Sequence, residues 1–179
     1  MKISSALAGL AGCALFASML APLATVQVQA SPTFASKSDG YSINLPGKPK
    51  MGSRTVALPG MGQTKINFIS VSKPPLSYIV IPMKFPSAPN GARIEQFLNG
   101  VERGFTMSTS AKLLSRKKIS LNGAIGREIL VQAGQNLLRG RFFVKGNRSF
   151  QVVGVSPKNG GAKYNAQMMQ VLNSFRILG

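Results

Sequence analysis

The clearest pattern of apolar and polar positions lies between residues 127 and 155. Three segments there are rich in β-branched and aromatic residues, which favour strands: Arg127–Ala133, Leu137–Lys145 and Ser149–Val155. Short polar breaks separate them. The second break is the pair Gly146-Asn147, whose residues tolerate the positive φ angles of a two-residue hairpin loop. The pattern therefore predicts three consecutive antiparallel strands.

The Gly146-Asn147 loop determines which residues face each other in the second hairpin. Phe143 pairs with Phe150 on one face, and Phe142 pairs with Gln151 on the other. Both faces of the sheet therefore carry large apolar side chains that have to be covered. We expect helices on both faces, which gives an α+β fold with a mostly antiparallel sheet, an α/β/α sandwich.

Alternating or continuous apolar positions predict further strands at Tyr41–Leu45, Arg54–Leu58, Gln63–Ser72, Leu76–Met83 and Lys112–Leu121. The lead-in Ser31–Lys37 is expected to be a loose segment. Pro82 has no N–H to donate to a neighbouring strand, so its end of the strand is expected at a sheet edge or a bulge.

Two amphipathic helices are predicted. Asn90 is a suitable N-cap for the first, which has apolar residues at helical spacing: Ile94, Phe97, Leu98, Val101 and Phe105. The second is expected to run to the C-terminus, with its apolar stripe formed by Tyr164, Met168, Val171, Leu172 and Phe175.

The connection after Lys112–Leu121 allows two registers. A two-residue loop, Asn122-Gly123, would place Lys118 opposite Arg127, which is a repulsive pair. A three-residue loop that includes Ala124 instead places Lys118 opposite Glu128. We prefer the three-residue loop because it matches opposite charges and brings apolar groups together.

The first thirty residues have the composition of an export signal. Lys2 precedes an apolar stretch, and Ala30 supplies the small residue before a cleavage site. Cleavage there leaves a single α+β domain over residues 31–179, expected in the periplasm or outside the cell. An uncleaved membrane anchor is one rival interpretation. The other is a lipoprotein anchored through Cys13, because Leu10–Cys13 resembles a lipobox.

Charge is strongly unbalanced along the chain. It has 22 lysines and arginines against 4 acidic residues, a net charge of +18 that becomes +17 without Lys2. This excess favours an anionic partner, which is an acidic protein surface, lipid head groups reached by peripheral membrane contact, or a glycan. A basic surface without any specific ligand is the competing interpretation. The sequence does not predict an oligomeric state.

Few residues are suited to catalysis. The chain has no histidine, and its one cysteine lies in the predicted signal, so we expect no cofactor and no metal site. The carboxylates are Asp39, Glu95, Glu102 and Glu128. Glu95 and Glu102 are expected on the solvent side of the first helix, and Glu128 is expected to pair with Lys118. No catalytic residue is predicted, and a non-enzyme is favoured over a serine–lysine hydrolase.

Two basic segments are candidate binding sites. The first is the strip Arg139, Arg141, Lys145 and Arg148, interleaved with Phe143 and Phe150. Such a strip is able to clamp single-stranded nucleic acid, but we favour a helix that covers the phenylalanines, because an exported domain rarely meets nucleic acid.

The second is the glycine-containing loop between Lys158 and Lys163, at a helix start where backbone amides and two ammonium groups are able to hold an anion. An ordinary capped loop is the favoured interpretation. The run Arg116-Lys117-Lys118 is explained by the protection of a solvated edge strand.

Several segments resemble the PsbP-like and DcrB-like exported α/β/α sandwich domains. They are the opening Phe34–Pro49, the triplets Gly126-Arg127-Glu128 and Gly146-Asn147-Arg148, and the closing Asn173–Arg176. The resemblance implies the same fold over about residues 34 to 178, and a lumenal location if the source is photosynthetic. PsbP-like proteins bind and stabilise a membrane photosynthetic complex, but no functional residue is transferred by the resemblance.

Two functional hypotheses follow. The leading one is an exported, non-catalytic accessory domain that docks on an envelope or membrane-associated assembly through its basic surface. The alternative is a carrier of a small ligand or lipid, with a pocket between sheet and helix. Docking by charge weakens steeply with salt, whereas pocket binding barely responds.

Overall fold

A computed structural model describes residues 32–58, 62–108 and 111–178. The predicted export signal, residues 1–30 with Cys13, lies outside the described residues. The elements in chain order are β1 (Thr33–Ser36), β2 (Tyr41–Asn44), β3 (Lys50–Leu58), β4 (Gly62–Lys73), β5 (Leu76–Lys84), α1 (Gly91–Ser108), β6 (Lys112–Leu121), β7 (Ala124–Ala133), β8 (Asn136–Lys145), β9 (Arg148–Pro157), α2 (Gly161–Asn173) and β10 (Arg176–Ile177). A short 3-10 turn, Lys158–Gly160, precedes α2.

The strands form two antiparallel sheets. The larger has seven strands in the order β3-β4-β5-β9-β8-β7-β6, and the smaller has three in the order β1-β2-β10. The predicted α+β class with a mostly antiparallel sheet is confirmed. Two terminal predictions are wrong. The expected loose lead-in contains strand β1, and the second helix ends at Asn173, where the chain turns to add β10 beside β2.

The hairpin of β8 and β9 has the predicted register. Phe143 pairs with Phe150, Phe142 pairs with Gln151, and Gly146 in the loop has a φ of 56°. The register of this hairpin is strongly specified, because a shift of one residue would exchange the side chains of the two buried faces.

The hairpin of β6 and β7 contradicts the predicted three-residue loop. Leu121 pairs with Ala124, so the loop is Asn122-Gly123 and Lys118 lies opposite Arg127. Both loop residues have positive φ angles, 49° and 78°, as a type I′ turn requires. The like-charged pair is tolerated because carboxylates from α1 reach it, as described below.

The two faces of the large sheet are covered differently. On the α1 face, Ile129, Val131 and Phe142 pack beneath Leu98 of α1. On the opposite face, called the α2 face, the covering layer combines α2 with the small sheet. The prediction of helices on both faces is confirmed, with the small sheet as an addition that the sequence did not predict.

The aromatic centre of the α2 face joins the two sheets. The Phe175 ring stacks on Phe143 with centroids 5.8 Å apart, and Tyr41 stacks on Phe175 at the same separation. Phe150 completes the group at 5.7 Å from Phe175. These rings hold the C-terminal segment against the hairpin of β8 and β9.

Pro82 lies inside the sheet by strand order, because β5 has neighbours on both sides. The register of β5 with β4 nevertheless ends at Val80, so Pro82 has a ladder partner only on β9, where it lies opposite Phe150. A residue without an N–H fits this position, because no strand lies on its other side.

Candidate anion-binding surface

A buried arginine on the α1 face is held by two carboxylates. The Arg127 guanidinium donates to Glu95 at 2.8 Å and to Glu102 at 2.9 Å, and Asn99 accepts from it at 2.7 Å. Only 6% of the Arg127 side chain is exposed. The prediction that Glu95 and Glu102 lie on the solvent side of α1 is therefore wrong, because their spacing of two helical turns places both over β7.

The same two glutamates also pair with two cations of β6, the edge strand. Lys118 lies 3.5 Å from Glu95, and Arg116 lies 3.1 Å from Glu102. Lys118 and Arg127 are cross-strand neighbours that share Glu95 as their counter-ion. The repulsion that the sequence suggests at this register is thus removed by α1.

A second cluster surrounds Glu128 on the α2 face. Arg139 Nη1 and Arg141 Nε each donate to its carboxylate at 2.7 Å, and Lys117 Nζ lies at 3.3 Å. Glu128 is only 2% exposed. Its partner on β6 is Lys117, so the predicted pairing with Lys118 is wrong.

Opposing effects set the protonation of Glu128. Burial by itself would raise the pKa of this carboxyl, but the hydrogen bonds and positive charges of Arg141 and Arg139 outweigh it, so the pKa lies below its usual value of 4.5. Glu128 is therefore ionised at neutral pH. Arg139 also reaches Asn165 of α2 at 3.5 Å, while its Nε atom is buried without a hydrogen-bond partner.

The predicted strip of arginines and phenylalanines does not form one exposed surface. Phe143 and Phe150 are buried in the aromatic centre, so no base can stack on them. Arg139 and Arg141 are directed to Glu128.

Three cations without such partners lie side by side at the other end of the same face. Lys145 pairs with Arg148 across the hairpin, and Arg148 pairs with Lys84 on β5. We call Lys84, Arg148 and Lys145 the cationic row. Neighbouring strands are about 4.8 Å apart, so the row spans about 10 Å. None of the three forms an ion pair within the described part of the chain. Lys84 is exposed, and Lys145 and Arg148 are half-buried.

The β1–β2 turn borders the cationic row. Gly40 has a φ of 75° and lies so close to the Arg148 guanidinium that a Cβ atom there would clash with it. Asp39 is the carboxylate of this turn, but it accepts a hydrogen bond from Ser36 Oγ at 2.7 Å and forms no ion pair among the described residues. Gly40 O also accepts from Leu178 N at 2.9 Å, so the C-terminal segment closes this side.

The two lysines of the predicted loop site lie elsewhere. Lys158 is in the 3-10 turn and Lys163 is in the first turn of α2, both exposed. This is the end of β9 opposite to Arg148. Lys158 N donates to Gln135 O at 2.7 Å, so its amide is already used. The six predicted binding residues therefore occupy three places, and the sequence missed Lys84.

Chemically reactive groups are scarce in the described structure. Within residues 32–58, 62–108 and 111–178, no three histidine, cysteine or acidic side chains lie close enough to hold a metal ion. Burial raises the pKa of Tyr78 to about 12 and also raises that of Tyr41, where Asp39 adds to the effect. Neither described helix has the length and apolar character needed to cross a membrane.

A cavity of about 330 Å³ lies on the large sheet, and the residues that line it include Lys48, Ser70 and Val155. Its lining comes from β3, β4, β5, β9 and the segment before β3, and no helix residue is among the described lining residues. It is therefore not the pocket between sheet and helix that the carrier hypothesis expected.

Comparison with known proteins gives a likeness of fold. No family model matches the chain, and no curated protein matches it. The solution structure of cyanobacterial PsbP (CyanoP) from Synechocystis sp. PCC 6803 is similar, with a TM-score of 0.60 and 12% identity, over 88% of this chain and 98% of that one. A crystal structure from Bacteroides thetaiotaomicron matches with a TM-score of 0.38 and 16% identity, over 82% of this chain and 48% of that one. The chain has a PsbP-like fold, as its sequence resemblance predicted.

Proposed function

We propose that this protein is an exported, non-catalytic accessory domain that docks on an envelope or membrane-associated assembly through its basic surface. The cationic row is the observation that supports this function. It places three like charges on adjacent strands, an arrangement that destabilises a sheet unless a counter-ion is supplied. An anionic partner would supply that counter-ion.

The distribution of counter-ions strengthens this proposal. Apart from Lys2, the chain has 21 lysines and arginines, and six of them form ion pairs with the three glutamates. The other fifteen form no ion pair among the described residues. The molecule therefore presents a strongly positive surface, which attracts anionic surfaces and increases the rate of encounter with them.

The candidate partners are the anionic classes that the sequence analysis predicts. An acidic protein surface, anionic lipid head groups and an acidic glycan all offer closely spaced negative charges. Single-stranded nucleic acid is disfavoured, because the phenylalanines that would stack its bases are buried. The expectation drawn from the PsbP-like resemblance, an accessory role beside a membrane complex, agrees with this proposal.

The docking part is tested by measuring binding to one anionic surface of each class. Suitable surfaces are vesicles that contain phosphatidylglycerol, immobilised alginate, and an immobilised acidic protein, each compared with an uncharged counterpart. We expect binding to at least one, with affinity that falls at least tenfold between about 20 and about 200 mM salt. Absence of binding to all three at low salt would refute docking by charge.

The export part is tested by N-terminal sequencing of the protein recovered from the cell envelope and the medium. The proposal predicts a new N-terminus at Ser31. A blocked N-terminus at an acylated Cys13 would instead support lipoprotein anchoring, and an intact Met1 would contradict cleavage.

A further inference from the structure

The 330 Å³ cavity lies on the α1 face, opposite to the cationic row, because its lining residue Val155 shares a face of β9 with Gln151, which pairs with Phe142. Lys50 pairs with Ser70, and Ser72 pairs with Ser77, so these four side chains point to the same side of the sheet as their partners. Lys48, on the segment before β3, adds a second lysine to the lining. The cavity is within the size range of small-molecule sites.

Polarity changes in one direction across this cavity. Val155 on β9 and Ile79 on β5 form an apolar side, and both are half-buried. The serines of β4 and β5 follow, and Lys50 on β3 is at the far side. Three strand spacings separate β9 from β3, so the gradient from apolar to cationic extends over about 14 Å.

The space exists because α1 covers another part of this face. The helix packs on Ile129, Val131 and Phe142, which belong to β7 and β8. At β4 and β5 the side chains on the same face include the small residues Ser72 and Ser77, whose Oγ atoms lie 3.2 Å apart. Small hydroxyl side chains leave a hollow where larger apolar ones would fill it.

The charge of the cavity is also not neutralised. Lys48 and Lys50 form no ion pair among the described residues, and no carboxylate lines the cavity. Exposed ammonium groups are stable in water, but an anionic group placed beside both would gain a favourable interaction with each. A small inorganic anion would leave the apolar side in contact with water. A ligand with both characters contacts both sides.

We propose that this cavity binds an amphipathic monocarboxylate with an unbranched apolar tail of about eight carbons, a length that fits the gradient once the lysine stems reach inward. The carboxylate accepts hydrogen bonds from Lys48 and Lys50. The tail lies over Val155 and Ile79, and the serine hydroxyls lie between. Binding is non-covalent. The proposal does not depend on the cationic row.

The test uses three probes that separate charge from apolar character. Octanoate has both, acetate has the charge alone, and 1-octanol has the tail alone. Each is titrated into the ¹⁵N-labelled protein while amide resonances are followed by NMR. We expect octanoate to give saturable shifts in β4 and β5, with an affinity at least tenfold higher than that of either control. Equal shifts with acetate, equal shifts with 1-octanol, or no saturable shifts would overturn the proposal.

Substitutions locate the site. The double variant Lys48→Gln, Lys50→Gln removes the ammonium groups from exposed positions and should weaken octanoate binding at least tenfold. The double variant Lys65→Gln, Lys112→Gln is the matched control, because it removes the same charge from exposed positions outside the cavity lining. Removal of the cationic row should leave octanoate binding unchanged. Equal loss in the control variant or in the row variant would show a general effect of charge and would overturn the proposal.

Discussion

Like charges meet across neighbouring strands at two places in the same sheet, and only one of them is neutralised internally. On the α1 face, Lys118 lies opposite Arg127, with Glu95 and Glu102 within ion-pair distance. On the α2 face, the cationic row of Lys84, Arg148 and Lys145 has no such carboxylate among the described residues. The like charges repel each other in both places, but the carboxylates of α1 neutralise only the first pair.

The difference follows from where the few acidic residues lie. All three glutamates pair with cations of β6, β7 and β8, and three of these cations, Arg127, Arg139 and Arg141, are at most 16% exposed. A buried arginine without a counter-ion would be very costly, whereas exposed lysines are tolerated in water. The fold therefore uses its carboxylates for stability, and the cationic row remains available to an external anion.

Removal of the internal counter-ions should have the largest effect on stability. The double variant Glu95→Gln, Glu102→Gln leaves Arg127 buried without a negative partner. We expect a loss of about 3 kcal/mol in the free energy of unfolding, measured by urea denaturation at neutral pH. Arg93→Gln is the control at an exposed position of α1, and it should change stability by less than about 0.5 kcal/mol. Equal, small effects of both changes would contradict a structural role for this cluster.

Glu128→Gln should destabilise the protein by about 2 kcal/mol at neutral pH, because three cations lose their shared carboxylate. The folded-state pKa of Glu128 is lowered from its usual value of 4.5. The ionised carboxylate therefore stabilises the fold fully at pH values above that usual pKa. This contribution is lost as pH falls through the lowered pKa. Urea denaturation at a series of pH values should therefore show wild type and variant converging in acid, and a constant difference would contradict the assigned ion pairs.

In the cationic row, replacing one cation by an anion should stabilise the protein slightly, in contrast to the losses expected from the glutamate variants. Lys145→Glu places a carboxylate opposite Arg148, so we expect a gain of about 0.5 kcal/mol at low salt that disappears at high salt. Lys65→Glu makes the same change in net charge opposite Thr55, where no cross-strand cation is present. Equal gains in both variants would show that only net charge matters, and that the row is not a special site.

Local pairing could be predicted from the sequence, and distant counter-ions could not. The Gly146-Asn147 loop and the phenylalanines on each side specify the β8–β9 register by short-range information alone. The β6–β7 register was predicted wrongly because the choice considered only the two strands. The carboxylates that neutralise Arg127 come from positions 25 and 32 residues earlier in the chain.

The cationic row was predicted only in part, because one of its members comes from a strand that is distant in sequence. Lys145 and Arg148 are joined by their hairpin, so their proximity follows from the loop. Lys84 joins them only because β5 pairs with β9, an arrangement of strands far apart in sequence. The small sheet was missed likewise, since β10 has two residues and pairs with β2 near the start of the domain. Such short strands have no periodicity to detect.

The central claim is that the cationic row, and not positive charge in general, binds an anionic partner. It is tested most directly by the triple variant Lys84→Gln, Arg148→Gln, Lys145→Gln, compared with the control Arg54→Gln, Lys65→Gln, Lys112→Gln. The control removes equal charge from exposed positions outside the row. Affinity is measured at low salt for whichever anionic surface the wild type binds.

A cation near an anionic surface contributes about 1 kcal/mol, so the row variant should bind about a hundredfold more weakly than wild type. The control variant should lose no more than about threefold in affinity. Equal losses in the two variants would contradict the account.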